Sequence, residues 1–219
     1  MKQQKVQSIS GKSDQNQPIW PVVCFTALYI LAAVVGALVN GNREFLVYVA
    51  IMLLLIGLVW KMHRMVVLSS AALWCLSVWG CAHMAGGLLT VPVHWPVNVE
   101  TPVLYNLWLI PGWLKYDQLV HAYGFGITTW VCWQGIRFVI LKHTGHAAPT
   151  LGLMILVGAA GMGFGALNEV IEFGATLLLP ETNVGGYVNT SLDMVANLIG
   201  AMVAAMLIWC FEGRTNVDK

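Results

Sequence analysis

Long apolar runs, separated by short polar connections, set the pattern of the chain. A bilayer core needs ~20 apolar residues per helical span, and runs near that length fall at about 19–39, 44–60, 65–89, 118–141, 151–179 and 191–211. No A-x-A cleavage site follows the first run, so it predicts a retained first helix rather than a removed signal peptide. The stretch 90–116 breaks the pattern. Pro92, Pro96, Pro102 and Pro111 interrupt any long helix there. Trp95, Trp108 and Trp113 suit the headgroup region. The pattern therefore predicts an all-α polytopic membrane protein of six transmembrane helices in one domain, 19–211. An interfacial or partly re-entrant Pro/Trp-rich loop joins helices 3 and 4. Residues 1–18, rich in Gln and Ser, predict a disordered N-terminal tail, and 212–219 a short C-terminal tail.

Composition strengthens this picture. The 219 residues are 58% hydrophobic and only 10% charged, against roughly 25% charged in a soluble domain. That excludes a cytosolic enzyme and a basic nucleic-acid binder, so no nucleic-acid partner is expected. Cys24, Cys75, Cys81, Cys132 and Cys210 all lie in apolar runs without C-x-x-C spacing and read as small buried hydrophobes. Charge in the connections sets an orientation. With the N-terminus in the cytoplasm, Lys2, Lys5, Lys12, Lys61, Arg64, Arg137, Lys142, Arg214 and Lys219 fall on the cytoplasmic side, against Arg43 and Lys115 outside. The positive-inside rule then places both termini in the cytoplasm.

The remaining polar residues carry the chemistry. In that orientation His83, Asp117, His121, Glu169, Glu172, Asp193 and Asn197 all fall towards the outer ends of their helices. Asp117 with His121, Glu169 with Glu172, and Asp193 with Asn197 are spaced i,i+4, i,i+3 and i,i+4, so each pair shares one helix face. The same faces continue in small residues: Gly124 on helix 4, Gly158, Gly161 and Gly165 on helix 5, Gly200 on helix 6. Such residues let membrane helices approach closely. Helices 4 and 6 also echo each other, DQLVHAYG (117–124) against DMVANLIG (193–200).

An ionised carboxylate in lipid costs at least ~2.5 kcal/mol. With no basic partner inside the membrane and Lys115 just outside, a bound metal, shared protons or a water-filled cavity would relieve that cost. Carboxylates with imidazole suit Zn²⁺, Mn²⁺ or Fe²⁺, whereas carboxylates alone suit Mg²⁺ or Ca²⁺. The candidate ligands are His83, His121, Glu169, Glu172 and Asp193, with Asp117 or Glu172 as general base and Asn168, Asn189 and Asn197 in support. Counting ~1.5 Å per residue from each outer end groups His83, Asp117, His121, Glu172 and Asp193, and leaves Glu169 one turn below. Asn189, Thr190 and Ser191 are candidate caps for the last helix. His63, His94, His143 and His146 read as solvated imidazoles in loops or helix ends. No P-loop, Ser-His-Asp order or H-E-x-x-H motif is present.

HMAGG (83–87), YDQLVH (116–121), NEVIEF (168–173) and NTSLDM (189–194), in this order, resemble the YjdF-like family of bacterial inner-membrane proteins of unknown function. DMVANLIGA (193–201) is also similar to the VanZ-like proteins. The YjdF-like pattern carries further aspartates before the last motif, where this chain has Gly185, Gly186 and Asn189. The resemblance implies a multi-pass inner-membrane protein with an acidic polar core, and brings no established reaction.

Three functions fit these residues. The first is a metal-dependent hydrolase or transferase acting on lipid or lipid-linked envelope substrates at the outer leaflet, with Trp95, Trp108 and Trp113 flanking the lipid entrance. The second is a proton- or cation-coupled transporter using the same carboxylates. The third is a non-catalytic subunit or assembly factor.

Overall fold

The structure, a computed structural model, describes residues 18–97, 102–179 and 182–214. The N-terminal tail expected over 1–18 lies outside the described residues except for Pro18, and 215–219 lie outside as well. The described residues form six long helices, α1 (Trp20–Val39), α2 (Arg43–Val66), α3 (Ser70–Leu88), α4 (Tyr116–Thr144), α5 (Leu151–Leu178) and α6 (Tyr187–Arg214). Local signals set their ends. Asn42 caps α2 by accepting from Phe45 N–H, Ser69 caps α3 through Ala72 N–H, and Thr150 caps α5 through Leu153 N–H. Helix α4 stops at Gly145, whose positive φ of 75° glycine adopts without a Cβ penalty.

Among the described residues, five helices are long and apolar enough to cross a membrane. The sixth, α4, is 29 residues long but less apolar, and buries Gln118, His121, Thr129 and Trp133. Its polarity follows from its place. It packs on α3, α5 and α6, and the pair α4–α6 shares the most extensive interface in the molecule. Outward faces stay apolar: Val170, Phe173 and Leu177 of α5 and Leu28, Leu31 and Val35 of α1 are exposed. In water such a surface would be an aggregation liability, whereas in lipid it is the expected exterior. The chain is an all-α multi-pass membrane protein.

Some boundaries differ from the hydropathy pattern. Helix α2 continues six residues past the expected stop at 60, because Lys61, His63 and Arg64 propagate a helix even though they end an apolar run. Helix α6 begins at Tyr187, so Asn189, Thr190 and Ser191 sit inside its first turns instead of capping it. Ser191 Oγ donates back to Tyr187 O at 2.8 Å, a typical in-helix use of a serine hydroxyl.

The Pro/Trp-rich connection is a compact cap across one end of the bundle. A 3-10 turn (Leu104–Asn106) leads into a short antiparallel ribbon, β1 (Trp108–Ile110) and β2 (Leu114–Lys115). Val91, Val103 and Leu107 are buried beneath it, while Trp113 and Trp95 are exposed. Because successive helices alternate in direction, this end also gathers the starts of α2, α4 and α6 and the ends of α1, α3 and α5.

Candidate functional site

His121 is the centre of the site, and α4 carries it into the bundle with only 3% of its surface exposed. Its Nδ1 lies 3.1 Å from Asn197 Oδ1 on α6 and 3.5 Å from Glu169 Oε1 on α5. Its Nε2 lies 3.6 Å from Asp117 Oδ1, one turn earlier on α4, and 4.0 Å from Glu172 Oε1 on α5. An amide carbonyl accepts and cannot donate, so the Asn197 contact assigns the imidazole proton to Nδ1. Nε2 then faces Asp117 and Glu172.

Asparagines tie the carboxylates together. Asn189 Nδ2 donates to Asp193 Oδ2 at 2.6 Å and to Asp117 Oδ2 at 3.3 Å, bridging α6 to α4. Asn168 Nδ2 donates to Glu172 Oε1 at 2.8 Å. Asp193 is 1% exposed and Asn197 is fully buried. Asp193 Oδ1 and both Glu169 oxygens are buried without a hydrogen-bond partner of regular geometry among the described residues. Buried acceptors in that condition are costly unless a cation or proton satisfies them.

Close backbone packing permits this convergence. A Cβ on Gly200 of α6 would strike the carbonyl of Ala122 on α4, and one on Gly161 of α5 would strike Thr129 Oγ1 of α4. At Gly165 the added atom would lie 2.8 Å from Asn197 Nδ2. Gly158 and Gly163, in contrast, meet nothing within 4 Å, so only part of the α5 glycine stripe is a packing face. The two echoing segments lie against each other, and their equivalent positions His121 and Asn197 share a hydrogen bond.

The donor set suits a metal. Asp117, His121 and Asp193 form one group, and His121, Glu169 and Glu172 another, whose ligand atoms lie within 4.8 Å of one another. Ligands about 2.0–2.2 Å from a tetrahedral ion stand ~3.4 Å apart, so rotamer shifts of about 1 Å would close either group. Glu169 and Glu172, one turn apart on α5, meet opposite nitrogens of His121, Glu169 at Nδ1 and Glu172 at Nε2.

His83 is apart from these groups. It lines a polar cavity of about 300 Å³ beside them, with Glu44, Tyr48, Tyr105, Lys115, Asp117, Glu172 and Asn189. Its Nδ1 is 2.6 Å from Tyr105 Oη, and that hydroxyl donates to His83 O at 2.8 Å. Burial pushes the Tyr105 phenol well above its usual range, and the Asp117 and Glu172 charges add to the effect.

Sequence reasoning missed several members of the cavity, among them Glu44, Tyr48, Tyr105 and Lys115. Glu44 is buried at the start of α2 and accepts from Asn183 N at 2.9 Å. Tyr105 comes from the 3-10 turn. Lys115 reaches inward, donating from Nζ to Asn189 Oδ1 at 2.9 Å, with Nζ 5.3 Å from the Trp108 ring centre. The acidic cluster thus has a cation one hydrogen-bond link away. Position just before an Asp-x-x-x-His helix start was the available signal for Lys115; Glu44 and Tyr105 carried none.

Comparison with known proteins adds one finding. The model of a family described as predicted membrane protein (DUF2238) matches residues 21–214. No curated protein and no solved structure matches the chain. The likeness of residues 193–201 to VanZ-like proteins finds no support in these comparisons.

Proposed function

The chain belongs to the predicted membrane protein family DUF2238, the YjdF-like proteins, and from that premise we propose that it is a metal-dependent hydrolase or transferase acting on lipid or lipid-linked substrates. The observation that carries the reading is the environment of His121. One ring nitrogen is oriented by Asn197 and Glu169, while the other is turned towards Asp117 and Glu172. A histidine whose far nitrogen is fixed by a carboxylate or amide is the usual arrangement around a protein-bound metal. In this reading His121 Nε2, Asp117, Glu172 and Asp193 bind the ion, and Glu169 and Asn197 hold the imidazole. Mixed imidazole and carboxylate donors favour Zn²⁺, Mn²⁺ or Fe²⁺ over Mg²⁺. Bound there, such an ion supplies Lewis acidity and lowers the pKa of a coordinated water.

The distribution of Lys and Arg supports an outward-facing site. Arg43 and Lys115 lie at the site end, whereas Lys61, Arg64, Arg137 and Lys142 lie at the other, so the positive-inside rule turns the cavity to the outer leaflet of a bacterial inner membrane with both termini cytoplasmic. The exposed Trp95 and Trp113 would sit at the headgroup level beside its mouth.

Metal analysis of detergent-purified protein tests the reading. Near-stoichiometric Zn, Mn or Fe is expected. A Glu169→Ala variant should bind 10–100-fold more weakly, the usual cost of losing a group that orients a ligand. A metal-free protein that instead binds a monovalent cation or protons reversibly would support the transporter reading and overturn this one.

A further inference from the structure

We propose that the half of the bundle opposite the acidic site binds an anionic phospholipid, one acyl chain lying in an apolar groove between α1, α2 and α3 and the phosphate beside Arg64. The groove encloses about 520 Å³, between Ala27 and Leu31 of α1, Leu53 and Ile56 of α2, and Leu73 and Leu76 of α3. It exists because α2 packs on α1 and touches α3 far less than α1 does. Thr26 and Ser77 of its wall hydrogen-bond each other at 2.6 Å, which leaves a surface suited to hydrocarbon. Along α2 the lining runs from His63 to Met52, about 16 Å at ~1.5 Å per residue. That is close to half of a ~30 Å bilayer core, the depth of one leaflet. Tyr29 and Met52 at the deep end belong to the same buried cluster as Phe45, which lines the polar cavity. Packed side chains thus separate the groove from the acidic site. The lipid is not the substrate, and the proposal does not rest on the metal reading.

Charge at the open end selects the headgroup. Trp60 and His63 line that end, and Arg64, four residues after Trp60, continues the same helix face outward. Lys61 and Arg64 are exposed and form no ion pair among the described residues. Glu212, the acidic side chain described at this end of the bundle, is held by Arg137 at 3.3 Å. Basic charge without an acidic partner, beside a gap between membrane helices, is a setting in which anionic headgroups bind. An acyl chain gains little by leaving the bilayer for an equally apolar groove. The basic mouth therefore decides which lipid stays. Trp20 and Trp60 are exposed at the same end, and their rings suit the headgroup level.

Native mass spectrometry of the full-length protein tests this, with equal amounts of phosphatidylglycerol and phosphatidylcholine of identical chains added to the detergent. One phosphatidylglycerol should be retained per chain in preference to phosphatidylcholine. Arg64→Gln should lower that preference about five-fold, the equivalent of ~1 kcal/mol for one basic residue near a lipid headgroup. Lys142→Gln, at the same end of the bundle but on α4, should leave it unchanged. Ala27→Trp fills the groove from an exposed position of its wall and should displace either lipid. Circular dichroism reports whether that variant is folded, and Ala27→Leu, expected to act in the same direction, replaces it if not. Equal retention of the two lipids overturns the proposal. So does a preference that Lys142→Gln lowers as much as Arg64→Gln, or lipid retained unchanged when position 27 is enlarged. A dimer that dissociates in the Ala27 variants, with no lipid bound, would assign the groove to a second copy of the chain and overturn the proposal as well.

Discussion

Asn197 shows how much of the site depends on a neutral residue. It is fully buried, accepts at 3.1 Å from His121 Nδ1, and fills the space left open by Gly165. Replacing it with Leu keeps the branched shape but removes the acceptor, so the imidazole loses its fixed tautomer. The expected cost is 10–100-fold in metal affinity, measured by competition with a chromophoric chelator; unchanged affinity would separate Asn197 from the site. A Gly165→Ala change should act in the same direction, because its Cβ displaces Asn197 and not the backbone. At this scale the sequence was informative where helical spacing applied. Asp117, His121, Glu172 and Asp193 were legible because i,i+3 and i,i+4 pairs must share a face. Glu44, Tyr105 and Lys115 were not, because they reach the cavity through tertiary contacts that no local period encodes.

Between elements, the contact of α4 with α6 holds the site together. At one end Asn189 bridges Asp117 and Asp193. At the other, Trp133 Nε1 donates to Glu212 Oε2 at 3.0 Å, and Arg137 Nε lies 3.3 Å from the same oxygen. Between them the helices touch backbone to backbone at Gly200 and Ala122. Gly200→Leu should therefore destabilise the fold by about 3 kcal/mol or more, at the upper end of overpacking costs. Gly163→Leu, with nothing near its Cβ, should be close to neutral. Thermal unfolding in detergent compares the two, and equal losses would contradict the interface. The glycine stripe was visible in the sequence, as was the likeness of 117–124 to 193–200. Which glycines face a partner was not, because hydropathy does not distinguish a lipid-facing glycine from one under another helix. The polar start of α6 at Tyr187 was missed for a related reason, since apolar runs mark membrane depth and not helix ends.

For the whole molecule, orientation and occupancy decide the function. The all-α, six-helix architecture followed from apolar run length alone, because lipid leaves an isolated chain few ways to satisfy its backbone. The cap built by the described residues 90–97 and 102–115 did not, since its 3-10 turn and two-stranded ribbon rest on contacts with α3 and α4. The outward-facing site predicts that a membrane-impermeant maleimide, applied to intact cells, labels Cys placed at the exposed positions Val93 or Trp113 and spares Lys142 or Arg64. The background should lack the native Cys24 and Cys210, which are exposed on the helices. Reversed labelling would put the cavity on the cytoplasmic side. The account stands most directly on one histidine among buried carboxylates holding an ion, and X-ray absorption at the zinc edge of Zn²⁺-loaded protein tests it. The predicted spectrum shows one imidazole with oxygen donors and no sulfur, and the imidazole contribution disappears in His121→Gln. A spectrum of solvated zinc, or one that His121→Gln leaves unchanged, would contradict it.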